Sequence, residues 1–178
     1  MTRAELEHLI RAAADLAQDD DIIVVGSQAI LGQFPDAPAT LRVSVEADLY
    51  PRHHPERADL IDGTIGEGSP FHATYGYYAQ GVGEETAVLP AGWQQRLVPV
   101  RGESTRGATG WCLEAHDLVI AKAVAGRERD RVFVREAIRH RLVDEQTLRE
   151  RLAATAVAPV VTDRVRAWFA ADFAPDTG

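Results

Sequence analysis

The chain has 178 residues, 46% apolar and 26% charged, a mixture that fits a folded protein with its own core and excludes wholesale disorder. A single cysteine, Cys112, excludes an intrachain disulfide and a cysteine zinc cluster, and a net charge of −8 argues against a general nucleic-acid coat protein. No apolar run approaches the ~20 residues that cross a bilayer, and no long apolar stretch follows Arg3 as in a signal peptide, so a soluble cytoplasmic protein without a membrane partner is expected.

Leu6, Leu9, Ile10, Ala13 and Leu16 recur at helical spacing and predict a helix over residues 4–18. Ile22 to Val25 is a short apolar run, read as a strand buried on both faces. Gly26-Ser27 stops it, and a short helix opens at Gln28 with Ser27 as its N-cap. Over residues 41–50, Leu41, Val43, Val45, Ala47 and Leu49 share one parity, while Arg42, Ser44, Glu46, Asp48 and Tyr50 share the other. Strict alternation predicts a strand with one apolar face on the core and one polar face toward solvent or a cleft, ended by Pro51.

Residues 56–65 read as a helix, then Gly66, Gly68 and Pro70 as a loop. Further strands are expected over 71–80, 86–89, 96–100 and 111–113, with Pro99 placing the third at an edge or bulge. The remainder reads as four helices: 116–125 closed by Gly126, 128–142, one capped by Asp144 to about 154, and 160–172. The tail from Pro175 reads as loose. The fold class expected is α/β (α+β), with a mixed core over residues 1–114 and a helical part over 115–178 packed on it.

Charge is uneven along the chain. The first 90 residues hold 5 arginines against 15 acids, and the remaining 88 hold 14 basic residues against 12 acids. Arg127, Arg129, Arg131, Arg135, Arg139 and Arg141 form either a solvated helix face or a surface that meets phosphates. Lys122 is the only lysine.

Two features carry chemistry. A glycine after a strand lets backbone approach a ligand, and the first N–H groups of the following helix favour phosphate, with Ser27 adding a hydroxyl. Glu46 and Asp48, two apart on one strand, point to one face with Cα atoms roughly 7 Å apart. Such a pair can hold divalent metal, with Arg42 as the alternative partner in a surface ion pair. A phosphate-gripping turn beside a metal-binding strand is what nucleotidyl transfer requires.

This combination resembles the nucleotidyltransferase superfamily. More narrowly it is similar to the bacterial AbiEii-type toxins and the related uncharacterised proteins that share their fold. The narrower likeness lies in a lysine helix followed by arginine-x-x-aspartate, here within Asp117 to Asp130 and including Lys122, Arg127 and Asp130. It covers about residues 20–140. The resemblance implies a mixed sheet flanked by helices. It implies that Gly26, Ser27, Lys122, Arg127 and Asp130 bind nucleotide, that Glu46 and Asp48 bind Mg²⁺ (or Mn²⁺), and that Glu46, Asp48 and Lys122 serve catalysis. It implies a nucleoside triphosphate substrate, an RNA (tRNA) or protein acceptor and a cognate antitoxin.

The chain departs from the superfamily pattern twice. Glu46 stands where many members have aspartate, and a third carboxylate is expected on a neighbouring strand. The strand read at Arg96 to Val100 has no acid, while Glu84, Glu85, Glu103 and Glu114 lie near strand ends. The alternative reading is therefore a catalytically silent fold that binds nucleotide or a protein partner. Among other residues, His53-His54 reads as loop rather than metal ligand, and Tyr75, Tyr77 and Tyr78 as strand aromatics. Cys112 reads as buried, and Trp93 as a packing anchor.

Overall fold

The computed structural model describes residues 1–174. Helix α1 (Arg3–Ala17) starts at a capping box, in which the Thr2 hydroxyl accepts from the Glu5 N–H and the Glu5 carboxylate accepts from the Thr2 N–H. Strand β1 (Asp21–Val24) follows, then a 3₁₀ turn (Ser27–Ala29) and helix α2 (Ile30–Gln33). Strand β2 (Glu46–Pro51), helices α3 (Ala58–Ile65) and α4 (Pro70–Tyr75), and strands β3 (Tyr78–Gly81), β4 (Val98–Val100) and β5 (Thr109–Cys112) complete the first part. Helices α5 (Ala115–Ala125), α6 (Glu128–Arg139), α7 (Glu145–Ala153) and α8 (Pro159–Asp172) make up the rest. The fold is a mixed α/β arrangement, a five-stranded sheet flanked by helices.

The sheet runs β3-β2-β1-β5-β4. Strand β1 is antiparallel to β2 and parallel to β5; β2 is parallel to β3, and β4 antiparallel to β5. One face is closed by α1, α2 and α3. The proof is steric: a Cβ on Gly110 would enter Ile10 of α1, one on Gly32 of α2 would enter Cys112, and one on Gly81 would enter the Ala58 carbonyl of α3. Ile22, Val24, Leu49 and Cys112 are fully buried there. Glu46, Asp48 and Tyr50 alternate with that set, so they stand on the opposite face. The apolar core runs without a break from Leu6 and Ile10 through Leu118 and Val134 to Val165 and Phe169, so α5–α8 share it with the sheet.

Several expected elements are redrawn. The alternating stretch 41–50 is strand only from Glu46. Ala39–Leu41 is a 3₁₀ turn, and Val43 and Val45 are 77% and 46% exposed. Alternation makes a strand only where a neighbour supplies a ladder, and β3 begins opposite Glu46. The carbonyls of Arg42 and Ser44 instead accept from the Met1 amino group.

Residues 71–80 divide. Ser69 caps α4 by accepting from the His72 N–H at 3.1 Å, Pro70 takes the first turn, and Gly76 ends the helix at φ +77° before β3 begins. This capping overrides the strand preference of the tyrosines, so Tyr75 packs with His8, Phe71 and Tyr77 in an aromatic group rather than on a sheet. Residues 86–89 form no strand; a 3₁₀ turn over Glu84–Thr86 leads into irregular chain. Strand β4 is the short edge strand that Pro99 required. The helices after Glu114 lie close to their expected bounds, with Gly126 left-handed at φ +70° and the Asp144 side chain accepting from the Thr147 N–H at 2.8 Å. The tail from Pro175 lies outside the described residues.

Candidate active site

Strand β1 ends beside β2, where the Val25 N–H donates to the Asp48 carbonyl at 3.1 Å. Gly26 follows with an ordinary extended backbone, so its requirement is space rather than a left-handed conformation. The volume a Cβ would occupy is filled by the Asp48 carboxylate. Gly26, not Ser27, takes the cap position of the following turn, and that cap makes no side-chain hydrogen bond. The turn is 3₁₀ and only then α-helical, so a long helix dipole is not available; the N–H groups of the first turn and the Ser27 hydroxyl remain as hydrogen-bond donors.

Glu46 and Asp48 stand on the open face of β2. The Tyr78 hydroxyl, one strand over, donates to Glu46 Oε2 at 3.2 Å. Burial and the Glu46 carboxylate push the Tyr78 hydroxyl up to about 12, so it stays a neutral donor. Burial, and then the Glu46 charge, push Asp48 up to about 6, against the opposing fields of Lys122 and Arg129. The pair is therefore electrostatically uncomfortable, which is the state a divalent cation relieves.

The opposite wall comes from α5 and the start of α6. Lys122 Nζ lies 3.2 Å from Asp130 Oδ1, and Asp130 Oδ2 accepts from the Arg127 N–H at 3.3 Å. Asp130 is buried, caps α6 and holds Lys122 in place. All seven residues expected at a site line one cleft of about 770 Å³: Gly26, Ser27, Glu46 and Asp48 from the sheet side, Lys122, Arg127 and Asp130 from the helices.

Ser44, Arg129 and Gln80 also line the cleft; the first two stand on stretches the sequence marks as polar or basic, whereas Gln80 carries no such signal. Gln80 pairs with Asp48 across the β2–β3 ladder. The strand beside the acidic pair is thus β3, not the one expected at Arg96 to Val100, which is β4 at the far edge of the sheet. No local signal reveals this, because β2 and β3 are joined through two helices. Of the four glutamates near expected strand ends, Glu84 lines a separate cavity of about 270 Å³ with Tyr50, Arg52 and Trp93. Glu85 folds against Gly83, Glu103 begins a 3₁₀ turn, and Glu114 caps α5 and pairs with His116 at 2.7 Å. Among the described residues, Glu46, Asp48 and Asp130 are the acids lining the cleft.

The other candidate residues have plainer roles. His53 is more than a loop residue: with Asp19 and Asp21 it offers ligand atoms within 4.8 Å of one another, a group that could hold a metal ion. Asp19 also accepts from the backbone N–H groups of Asp21, His53 and His54, which fastens the turn there. The Cys112 thiol is fully buried, and burial pushes it up to about 12. Trp93 is partly buried against the core. No helix among the described residues is long and apolar enough to cross a membrane.

A mixed sheet with Gly26-Ser27 just after β1, next to a strand bearing two carboxylates and facing a basic helix pair, is the arrangement that the nucleotidyltransferase resemblance implies. Residues 4–174 match the family described as nucleotidyltransferase of unknown function (DUF6036), and the chain belongs to that family. The match supports the superfamily resemblance and does not reach the AbiEii-type likeness. No curated protein and no solved structure gives a significant match.

Proposed function

We propose that this protein is a metal-dependent nucleotidyltransferase that moves a nucleoside monophosphate from a nucleoside triphosphate to an acceptor hydroxyl on RNA or protein. The observation that carries the reading is the convergence, on one cleft, of a tight glycine turn, two carboxylates on one strand face and a lysine–arginine wall. The donor set fits a hard divalent cation: Glu46 and Asp48 offer carboxylate oxygens, and Gly26 leaves the room Asp48 needs. Mg²⁺ or Mn²⁺ held there would supply charge neutralisation at the phosphates.

The protein's own groups do the rest. The turn at Gly26 and Ser27 presents N–H and hydroxyl donors to the phosphates. Lys122 and Arg127, anchored by Asp130, supply positive charge to the polyphosphate. In the transfer, the acceptor oxygen bonds to the α-phosphorus, the bond from that phosphorus to the bridging oxygen breaks, pyrophosphate leaves, and the hydroxyl proton passes to water. The basic stretch from Arg127 to Arg141 favours an RNA acceptor such as tRNA.

The test is incubation with each α-labelled nucleoside triphosphate, Mg²⁺ or Mn²⁺ and total tRNA, with Asp48→Asn as the blank. Label on RNA or protein with the parent chain alone is the expected result. The likeness to AbiEii-type toxins extends the proposal to a toxin with a cognate antitoxin. Expression of the parent should slow growth and Asp48→Asn should not; normal growth with both would sink the toxin role. The second reading, a catalytically silent nucleotide-binding or protein-interaction module, is favoured by one observation: the strand beside Asp48 presents Gln80 rather than an acid. Saturable nucleotide binding without any transfer would favour it.

A further inference from the structure

We propose that Gln80 is a specificity-determining residue of the cleft, one that limits it to a single divalent ion per bound nucleotide. The inference rests on the nucleotidyltransferase reading and deepens it. Gln80 is the direct partner of Asp48 in the parallel β2–β3 ladder, and strands in a sheet lie ~4.8 Å apart. Residues opposite one another on neighbouring strands point to the same face. The adjacent rung shows that side chains meet there: Tyr78, opposite Glu46, reaches its carboxylate at 3.2 Å. Gln80 is exposed and lines the same cleft.

Its strand cannot drift. On one side β3 is paired to β2; on the other, Gly81 sits so close to the Ala58 carbonyl of α3 that a Cβ would overlap it. Position 80 is therefore fixed beside Asp48. A carboxamide there has the outline of a glutamate and none of its charge.

The number of ions the cleft can hold depends on its supply of anionic oxygens. A Mg²⁺ ion held by one or two carboxylates plus substrate phosphates, with water completing its shell, is an ordinary complement, and Glu46 and Asp48 meet it. A second ion ~3.5–4 Å away needs further anionic oxygens. The remaining acid in the cleft among the described residues is Asp130, and its two oxygens face Lys122 and Arg127. A glutamate at position 80 would supply what the second ion lacks.

The experiment counts Mn²⁺. With protein in excess over a non-hydrolysable nucleoside triphosphate at pH 7.5, bound Mn²⁺ is measured by electron paramagnetic resonance for the parent, Gln80→Ala, Gln80→Glu and Gln80→Asp. Because the side chain is exposed, all four should fold, which circular dichroism checks. The expected result is one Mn²⁺ per nucleotide for the parent and Gln80→Ala, rising to two in Gln80→Glu or Gln80→Asp. Two ions in the parent overturn the proposal while leaving the nucleotidyltransferase reading intact. One ion in every variant also overturns it, since position 80 would then not be limiting. No nucleotide binding by the parent removes that underlying reading, and this inference with it.

Discussion

The two ends of β1 both gather acidic side chains, and the fold treats them in opposite ways. At the start of the strand, Asp19 accepts three backbone N–H groups and faces His53; although burial opposes ionisation, these partners hold its carboxyl below the usual range. At the far end, burial and Glu46 push Asp48 the other way, to about 6. A carboxylate surrounded by donors fastens a turn. A carboxylate pressed against another, with a glycine cleared to make room, keeps its proton to a higher pH, and this is the pair to which the proposed function assigns a cation. The contrast separates a structural acid cluster from a candidate active site more sharply than counting acids does.

The largest expected effect breaks the candidate active-site end alone. Asp48→Asn should abolish Mn²⁺-dependent nucleotide binding and lower any transfer by about 10³-fold or more, as loss of the groups that place charge at a reacting phosphate does. Titration calorimetry with and without Mn²⁺ reads the first effect. Asp19→Asn should leave metal-dependent nucleotide binding unchanged; a parallel loss in both variants would collapse the distinction between the two ends.

Stability should then move in opposite directions. A folded-state value of about 6 means the native protein takes up a proton near that pH which the unfolded chain takes up only near 4. Without metal, the ionised Asp48 therefore destabilises the fold above about pH 6, and stability recovers as pH falls through that value. Asp48→Asn should raise metal-free stability at pH 7.5 by about 1–3 kcal/mol, with the gain fading below pH 6. Asp19→Asn weakens partners that need a charged acceptor and should lower it by about 1–3 kcal/mol. Urea unfolding at pH 5 and 7.5 measures both, and equal signs at pH 7.5 would refute the comparison. Gly26→Ala extends the test: its methyl group must displace the Asp48 carboxylate, for a loss of about 1–3 kcal/mol and weakened Mn²⁺ binding.

The legibility of each element in the sequence depends on how local its signal is. The helices after Glu114 could be read closely because their boundary signals are written next to them, Gly126 as the stop of α5 and Asp144 as the start of α7. The stretch 41–50 misled because alternation describes a side-chain pattern, while a strand also needs a neighbour, and none lies beside Val43. Gly26, Ser27, Glu46 and Asp48 could be singled out because a strand end and the next strand in sequence are also neighbours in the sheet. Lys122, Arg127 and Asp130 came from family resemblance, since nothing in their spacing says they face β2. Gln80 was invisible for the same reason in stronger form: its pairing with Asp48 is made across a parallel crossover, and α4, hidden behind a run of tyrosines, shifts the apparent start of its strand.

The smallest expected effect lies in the helical part, at a third kind of charged cluster that is neither a turn clasp nor a candidate metal site. His116 lies between Glu114 at 2.7 Å and Asp144 at 3.0 Å, which ties the start of α5 to the cap of α7. Burial works against its charge, but the two carboxylates outweigh burial and raise its value above that of ordinary histidine. The folded state therefore holds this proton more tightly than the unfolded chain does. The stabilisation is full below about pH 6.5 and is lost as pH rises through the folded value. His116→Gln should thus lower stability at pH 5.5 by about 0.5–1 kcal/mol and leave it nearly unchanged at pH 9, with nucleotide binding at the cleft unaffected at either pH. A larger deficit at pH 9 than at pH 5.5 would mean that neutral histidine, through its hydrogen bonds, does the fastening.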